Sequence, residues 1–191
     1  MRLLLLSATL FTAVASAQSF EAGGFGGTNR INSSDIGTLT VGGLARITLK
    51  DGWCFGGRMT INNWNHFGHE VGYRYTRTAF VVLGESTGTA IHQGFYNFLA
   101  YGTPGGSRIR PFATGGAHFS NFIYPGYTVS QGGGSNKIGY NYGGGVKVRI
   151  SPKYLIRLDV RQYVQGKPFD FPGQSGNISL LEISAGFGFH L

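Results

Sequence analysis

From Ile138 to Tyr163 the chain alternates apolar and polar residues with a period of two, interrupted once at Ser151-Pro152-Lys153. That period belongs to strands with two chemically different faces, so the stretch predicts a hairpin. Ile138, Tyr140, Tyr142, Val146, Val148 and Ile150 share one face of its first strand; Asn141, Gly143, Gly145, Lys147 and Arg149 share the other. In the second strand Ile156, Leu158 and Val160 oppose Arg157, Asp159, Arg161 and Tyr163. Four cations and an aspartate therefore fall on one side of a single hairpin. A soluble sheet would put them in water and bury the aliphatic face. A membrane barrel would do the reverse, with lipid outside, a small polar lumen inside and tyrosines at the interface.

The same parity recurs along the chain. Phe20 to Gly27 predicts a short, glycine-diluted strand, followed by a polar stretch from Asn29 to Asp35. Residues 37–51 leave two readings open, part of the first hairpin or a strand of their own. Trp53–Ile61 alternates Phe55, Met59 and Ile61 with Cys54, Gly56, Arg58 and Thr60, and 62–66 is a polar turn. Gly68–Val82 alternates Val71, Tyr73 and Tyr75 with Glu70, Gly72, Arg74 and Thr76. After a connection at 84–88, Ala90–Tyr101 is a strand whose faces the pattern does not assign. Thr103-Pro104-Gly105-Gly106-Ser107 is a turn signal, and Arg108–Phe119 alternates Ala113, Gly115, Ala117 and Phe119 with Arg110, Phe112, Thr114, Gly116 and His118. The final strand, Ile178–Leu191, alternates Leu181, Ile183, Ala185, Phe187, Phe189 and Leu191 with Glu182, Ser184, Gly186, Gly188 and His190.

The expected fold is all-β: an eight-stranded antiparallel up-and-down transmembrane β-barrel, with short periplasmic turns and longer extracellular loops. Nine strands would follow if 37–51 stood alone, an odd count that bacterial barrels disfavour. Short turns are expected near 62–67, 102–107 and 151–153, and longer loops near 28–52, 83–89, 122–136 and 166–177.

The chain start points to export. Arg2, the apolar run Leu3–Val14 and the small residues Ala15-Ser16-Ala17 make residues 1–17 a secretory signal peptide, cut before Gln18. Residues 18–191 then form one barrel domain. No cysteine follows that site, which argues against a lipid anchor, and no apolar run approaches the ~20 residues of a membrane helix. Entry into a membrane would require a closed barrel, since only that and the helix satisfy every backbone group in lipid. Glycine, at 33 of 191 residues, suits a small crowded barrel. The formal charge of +8 points to acidic lipid headgroups rather than nucleic acid in an exported chain. The lone Cys54 forms no intrachain disulfide and reads as packing.

With signal peptide, eight alternating strands, sorted loops and the ending Phe187-Gly188-Phe189-His190-Leu191 together, the chain resembles the small OmpA/OmpX-type outer-membrane β-barrel proteins of Gram-negative bacteria. The resemblance covers the whole mature chain. It departs at Leu191, where such barrels usually carry phenylalanine. It implies insertion in the outer membrane, contact with outer-membrane lipid and lipopolysaccharide, and recognition of the last strand by the barrel-assembly machinery; it does not fix a function. A monomer is expected, with no cofactor, metal or nucleic acid.

Parity assigns Glu21, Arg58, Glu70, Arg74, Lys147, Arg149, Arg157, Asp159, Arg161 and Glu182 to the lumen. Eight strands leave room for side chains rather than a wide channel, so these groups are expected to pair and fill it. Tyr73, Tyr75, Tyr140, Tyr142, Phe187 and Phe189 are expected to face lipid or the interface. The function expected is non-enzymatic, structural or surface-interactive. A narrow anion-preferring pore lined by surplus arginine is one alternative. Another rests on His118-Phe119-Ser120-Asn121, which resembles the His-x-Ser-Asn element of PagL-type outer-membrane lipid A deacylases. It implies an acyl-ester hydrolase with Ser120 as nucleophile and His118 as base. The orienting glutamate of that family has no counterpart in the following dozen residues, which leaves the triad incomplete. A soluble periplasmic ligand-binding barrel is the third class. His66 and His69 flank a turn with no third ligand for a metal, and the glycine runs lack the helix that a phosphate loop requires.

Overall fold

The computed structural model describes residues 19–32, 34–40, 44–128, 134–171, 174 and 176–191. Residues 1–17, read above as the leader, lie outside them. Ten strands form in chain order: β1 (Ser19–Ile31), β2 (Asp35–Thr40), β3 (Leu44–Leu49), β4 (Gly52–Trp64), β5 (Phe67–Val82), β6 (Glu85–Tyr101), β7 (Ile109–Phe122), β8 (Ser135–Arg149), β9 (Tyr154–Gly166) and β10 (Asn177–His190). Eight of them, all except β2 and β3, pair antiparallel with their neighbours and close on one another, β1 against β10 and β5 against β6.

Closure fixes the tilt. The register Glu21–Thr60–Glu70–Asn97–Gly116–Asn141–Tyr163–Leu180 returns to β1 at Ile31, a stagger of 31 − 21 = 10 residues. For eight strands such a stagger goes with a strand tilt of roughly 40° and an interior just wide enough to be filled by side chains.

The faces divide as the alternation predicts. On β9, Ile156, Leu158 and Val160 are 43%, 53% and 49% exposed, whereas Arg157, Asp159 and Arg161 are 2%, 2% and 1% exposed. Apolar residues cover the outside and charges fill the middle, the inverse of a soluble barrel. On β6, where the pattern was silent, Gln93, Phe95, Asn97, Leu99 and Tyr101 point inward, and His92, Tyr96 and Phe98 outward.

Four boundaries differ from the sequence expectation. Residues 37–51 are not a ninth barrel strand: within the connection of the first barrel hairpin, β1 to β4, β2 and β3 form a small hairpin, and β3 pairs with the end of β5 (Ile47 with Val82, Leu49 with Phe80). The connection expected as a longer loop at 83–89 is the two-residue turn Leu83-Gly84. Both residues adopt positive φ (51° and 89°), the geometry whose twist matches a tight hairpin, so pairing runs on to Val82 and Glu85. The turn expected at 62–67 shrinks to Asn65-His66, because β4 continues through an irregularity between Ile61 and Trp64. Finally, β1 runs to Ile31 rather than ending at Gly27, since its glycines find a full ladder with β10.

The interior has two storeys. At the end away from Ser19 and His190, Phe80, Ile91, Phe122, Tyr163, Ile178 and Leu180 pack with Ile36, Ile47 and Leu49 of the β2–β3 region, and Phe169 and Phe171 lie against them. This apolar plug closes one mouth. Ionised groups occupy the barrel below it.

Candidate functional site

Inward-facing residues on seven strands meet in one buried network. Asp159 on β9 accepts hydrogen bonds from Arg58 Nη1 (2.9 Å), Arg157 Nη2 (3.0 Å) and Arg161 Nη2 (2.9 Å). Glu70 on β5 accepts from Arg157 Nη1 (2.5 Å), Arg161 Nη2 (2.7 Å) and the Thr60 hydroxyl (3.2 Å). Two carboxylates thus hold three guanidinium groups. Above them Arg74 Nη1 donates to Glu182 (2.6 Å), which also accepts from Ser184 (2.6 Å). Below, Lys147 Nζ donates to Glu21 and to the Tyr101 hydroxyl (2.7 Å); Tyr101 donates to Asn62 (2.7 Å), whose amide returns to Glu21 (3.1 Å). Buried charge is tolerated only when paired and hydrogen-bonded in this way.

Three aromatic rings frame the arginines. Inward Phe25, Phe95 and Phe112 each lie directly across the ladder from a glycine: Gly56, Gly72 and Gly145. A Cβ added at those glycines would sit 2.7, 2.3 and 2.8 Å from the facing ring. The rings therefore lie flat over bare backbone and offer their faces to cations. Arg58 sits 4.4 Å over Phe25, Arg157 4.3 Å over Phe112 and Arg161 5.6 Å over Phe95, within cation–π range. Here the glycine content has a specific use: it makes room for the aromatic bed of the ion network.

Nine of the ten lumen charges expected from parity lie in this network. Arg149 does not. It points inward at the last turn of β8, is only half-buried, and donates to the Gly106 carbonyl (3.1 Å) rather than to a carboxylate. Arg110, which parity also turned inward but which the charge inventory omitted, sits beside it, stacked 3.7 Å over Tyr101. The polar residues Gln93, Asn97, Asn141 and Gln165 complete the interior; only their strand parity could have flagged them. Of the aromatics, Tyr73, Tyr140, Tyr142, Phe187 and Phe189 are exposed on the outer wall. Tyr75 also faces outward but is half-buried between Phe55, Trp53 and His92.

His118 and Ser120 share the inward face of β7 and are buried. They do not engage each other as base and nucleophile. His118 Nε2 meets Gln165 Oε1 (2.9 Å), the Ser120 hydroxyl donates to the same oxygen, and Gln93 Nε2 donates to Ser120 (2.8 Å). The group beside the imidazole is an amide, which cannot stabilise an imidazolium as a carboxylate does. Ser120 belongs to β7. No group of three or more metal-ligating side chains occurs among the described residues.

The spaces beside the network measure about 20 and about 10 Å³, room for a water molecule at most. A wider, open vestibule of about 800 Å³ lies at the mouth beside Ser19 and His190.

A tilted eight-stranded barrel with an aliphatic and aromatic exterior and an ionic interior is a membrane barrel of the bacterial outer-membrane kind. The family described as the outer membrane protein beta-barrel domain matches residues 3–190, and the chain belongs to it. Solved structures share the fold. OprG from Pseudomonas aeruginosa is 14% identical with a TM-score of 0.68, covering 92% of this chain and 96% of that one. Neisserial surface protein A is 15% identical (TM-score 0.59; 91% and 96% covered). Ail, the attachment invasion locus protein of Yersinia pestis, solved in complex with the heparin analogue sucrose octasulfate, is 14% identical (TM-score 0.50; 91% and 97%). No curated protein matches the sequence. The turns at 65–66, 102–108 and 150–153 lie at the vestibule end and the apolar plug lies at the opposite end; barrels of this kind usually turn their short connections to the periplasm, an orientation that would make the vestibule periplasmic.

Proposed function

We propose that this protein is a non-enzymatic outer-membrane barrel that acts through its surfaces, with a lumen serving as a rigid, closed support. The observation that carries this reading is the filling of the interior. An ion network spans the middle, and the plug of Phe80, Phe122, Ile47 and Ile178 covers the outer mouth. A hydrated ion needs a continuous wet path, and two spaces beside the network, of about 20 and about 10 Å³, each hold a single water at most. That argues against the anion pore despite the surplus arginine. The deacylase reading is disfavoured by the same geometry: an acyl ester of lipid A lies outside the barrel, while the Ser120 hydroxyl faces in and is bonded to Gln165. The β2–β3 hairpin, braced on β5, offers the outward surface for contact. A relative of the same fold, Ail, bears the name of an attachment protein, which is in keeping with such a role.

The expected result in planar bilayers is no stable single-channel conductance from the folded protein. Incubation with lipopolysaccharide releases no fatty acid, and replacing Ser120 by Ala changes neither readout. Discrete anion-selective steps, or fatty-acid release abolished by Ser120→Ala, would overturn the proposal.

A further inference from the structure

The periplasmic rim carries an unbalanced cation cluster. Arg110 on β7 stands directly across the ladder from Lys147 on β8, and Arg149 follows two residues along on the same inward face. Like charges placed opposite one another in a sheet repel. Glu21 is the carboxylate side chain that lines the same small space as Arg110, Lys147 and Arg149, and it is already engaged by Lys147 and Asn62. Among the described residues, Arg110 and Arg149 bond only to neutral carbonyls, those of Asn65 (3.0 Å) and Gly106 (3.1 Å). Arg110 is 5% exposed, and its Nε has no hydrogen-bond partner. A cation this buried, unpaired and next to like charge is a site short of an anion.

Both arginines line the 800 Å³ vestibule, with His66, His190 and the side chains of Asn63 and Asn65 around them. Trp64 and Phe67 line it too; they are exposed and pack edge to face at 6.2 Å. The vestibule thus joins a donor-rich pocket to aromatics of the kind that sit at a membrane interface. A guanidinium fork matches phosphate oxygens, and a molecule with both a phosphate and acyl chains would use both parts.

We propose that the periplasmic vestibule binds a phosphate diester, supplied as the headgroup of an anionic phospholipid in the inner leaflet, through Arg110 and Arg149. The inference rests on the membrane orientation above but not on the closed lumen. The phosphate takes the place between the two guanidinium groups, and the acyl chains leave over Trp64 and Phe67. Inorganic phosphate shares the headgroup chemistry and lacks the chains, so it separates the two sources.

The test uses folded protein in phosphatidylcholine vesicles, with Trp53→Phe in the background. Trp64 is then the sole tryptophan, since the chain has two. Phosphatidylglycerol with brominated acyl chains should quench Trp64 at a mole fraction about tenfold lower than brominated phosphatidylcholine, as expected for a charge-assisted contact. Arg149→Gln and Arg110→Gln should each remove that preference. Lys153→Gln, an equal charge change in the neighbouring exposed turn, should keep it. Arg149 is half-buried, so its variant tests the site even if Arg110→Gln fails to fold. Equal quenching by the two headgroups, or the same loss in Lys153→Gln, would overturn the site. Release of quenching by inorganic phosphate would overturn the lipid assignment and leave free phosphate as the ligand.

Discussion

Replacing Asp159 by Ala should cost about 3–5 kcal/mol of folding stability, the cost of leaving buried charge without its partner. Asp159 is the carboxylate of Arg58 and half of the support of Arg157 and Arg161. Glu70 can still serve the last two, but Arg58 loses its one ion pair among the described residues. Unfolding in urea, followed by tryptophan fluorescence in lipid vesicles, measures the change. Asp159→Asn, which keeps an acceptor oxygen in place, should lose less. Adding Arg58→Met to Asp159→Ala should recover part of the loss, because an apolar side chain on the Phe25 ring is cheaper than an unpaired guanidinium. A coupling energy of about 0.5–3 kcal/mol is expected between the two sites. Independent, additive effects would show that the contacts are geometric rather than energetic.

Gly72→Val is expected to be comparably damaging, at about 3 kcal/mol, by overpacking. The new Cβ would lie 2.3 Å from the Phe95 ring, which it would displace, and 2.7 Å from the Gly57 carbonyl, which cannot give way without opening the β4–β5 ladder. Displacing Phe95 also lifts the aromatic face under Arg161. Combining Gly72→Val with Phe95→Leu should restore stability in part. On an unboiled gel, the single variant should show a smaller folded fraction than the double. Wild-type stability in Gly72→Val would mean that glycine at this position is incidental.

These expectations rest on features of unequal visibility. The ion network was legible as a set of members but not as pairs. Parity placed Glu70, Asp159, Arg157 and Arg161 on one side, yet β5 and β9 lie on opposite sides of the barrel, and only the ten-residue stagger brings their side chains to one level. The phenylalanine–glycine pairs were hidden for the same reason. A phenylalanine on a polar face reads as an exception until its cross-strand partner is known. His118 and Ser120 lie two residues apart, and sequence distance gave them a chemistry that Gln165, forty-five residues on, takes away.

Two-residue alternation by itself determined strands with one apolar and one charged face, a pattern that suits a soluble sheet as well as a membrane barrel; the leader-like start and the ending Phe187-Gly188-Phe189-His190-Leu191 turned the choice toward lipid outside. The strand count and the inward side of nearly every strand followed from that. Tertiary structure alone decided how the cylinder is closed. Phe80, Ile91, Phe122, Ile178 and Leu180 break the rule that apolar residues face lipid, since the β2–β3 region and Phe169 come over the rim and give them an apolar partner inside. Arg110 and Arg149 follow the rule but reach the rim before any carboxylate can meet them. Alternation sets the side of the wall on which a residue stands. What it finds there depends on contacts between strands far apart in sequence.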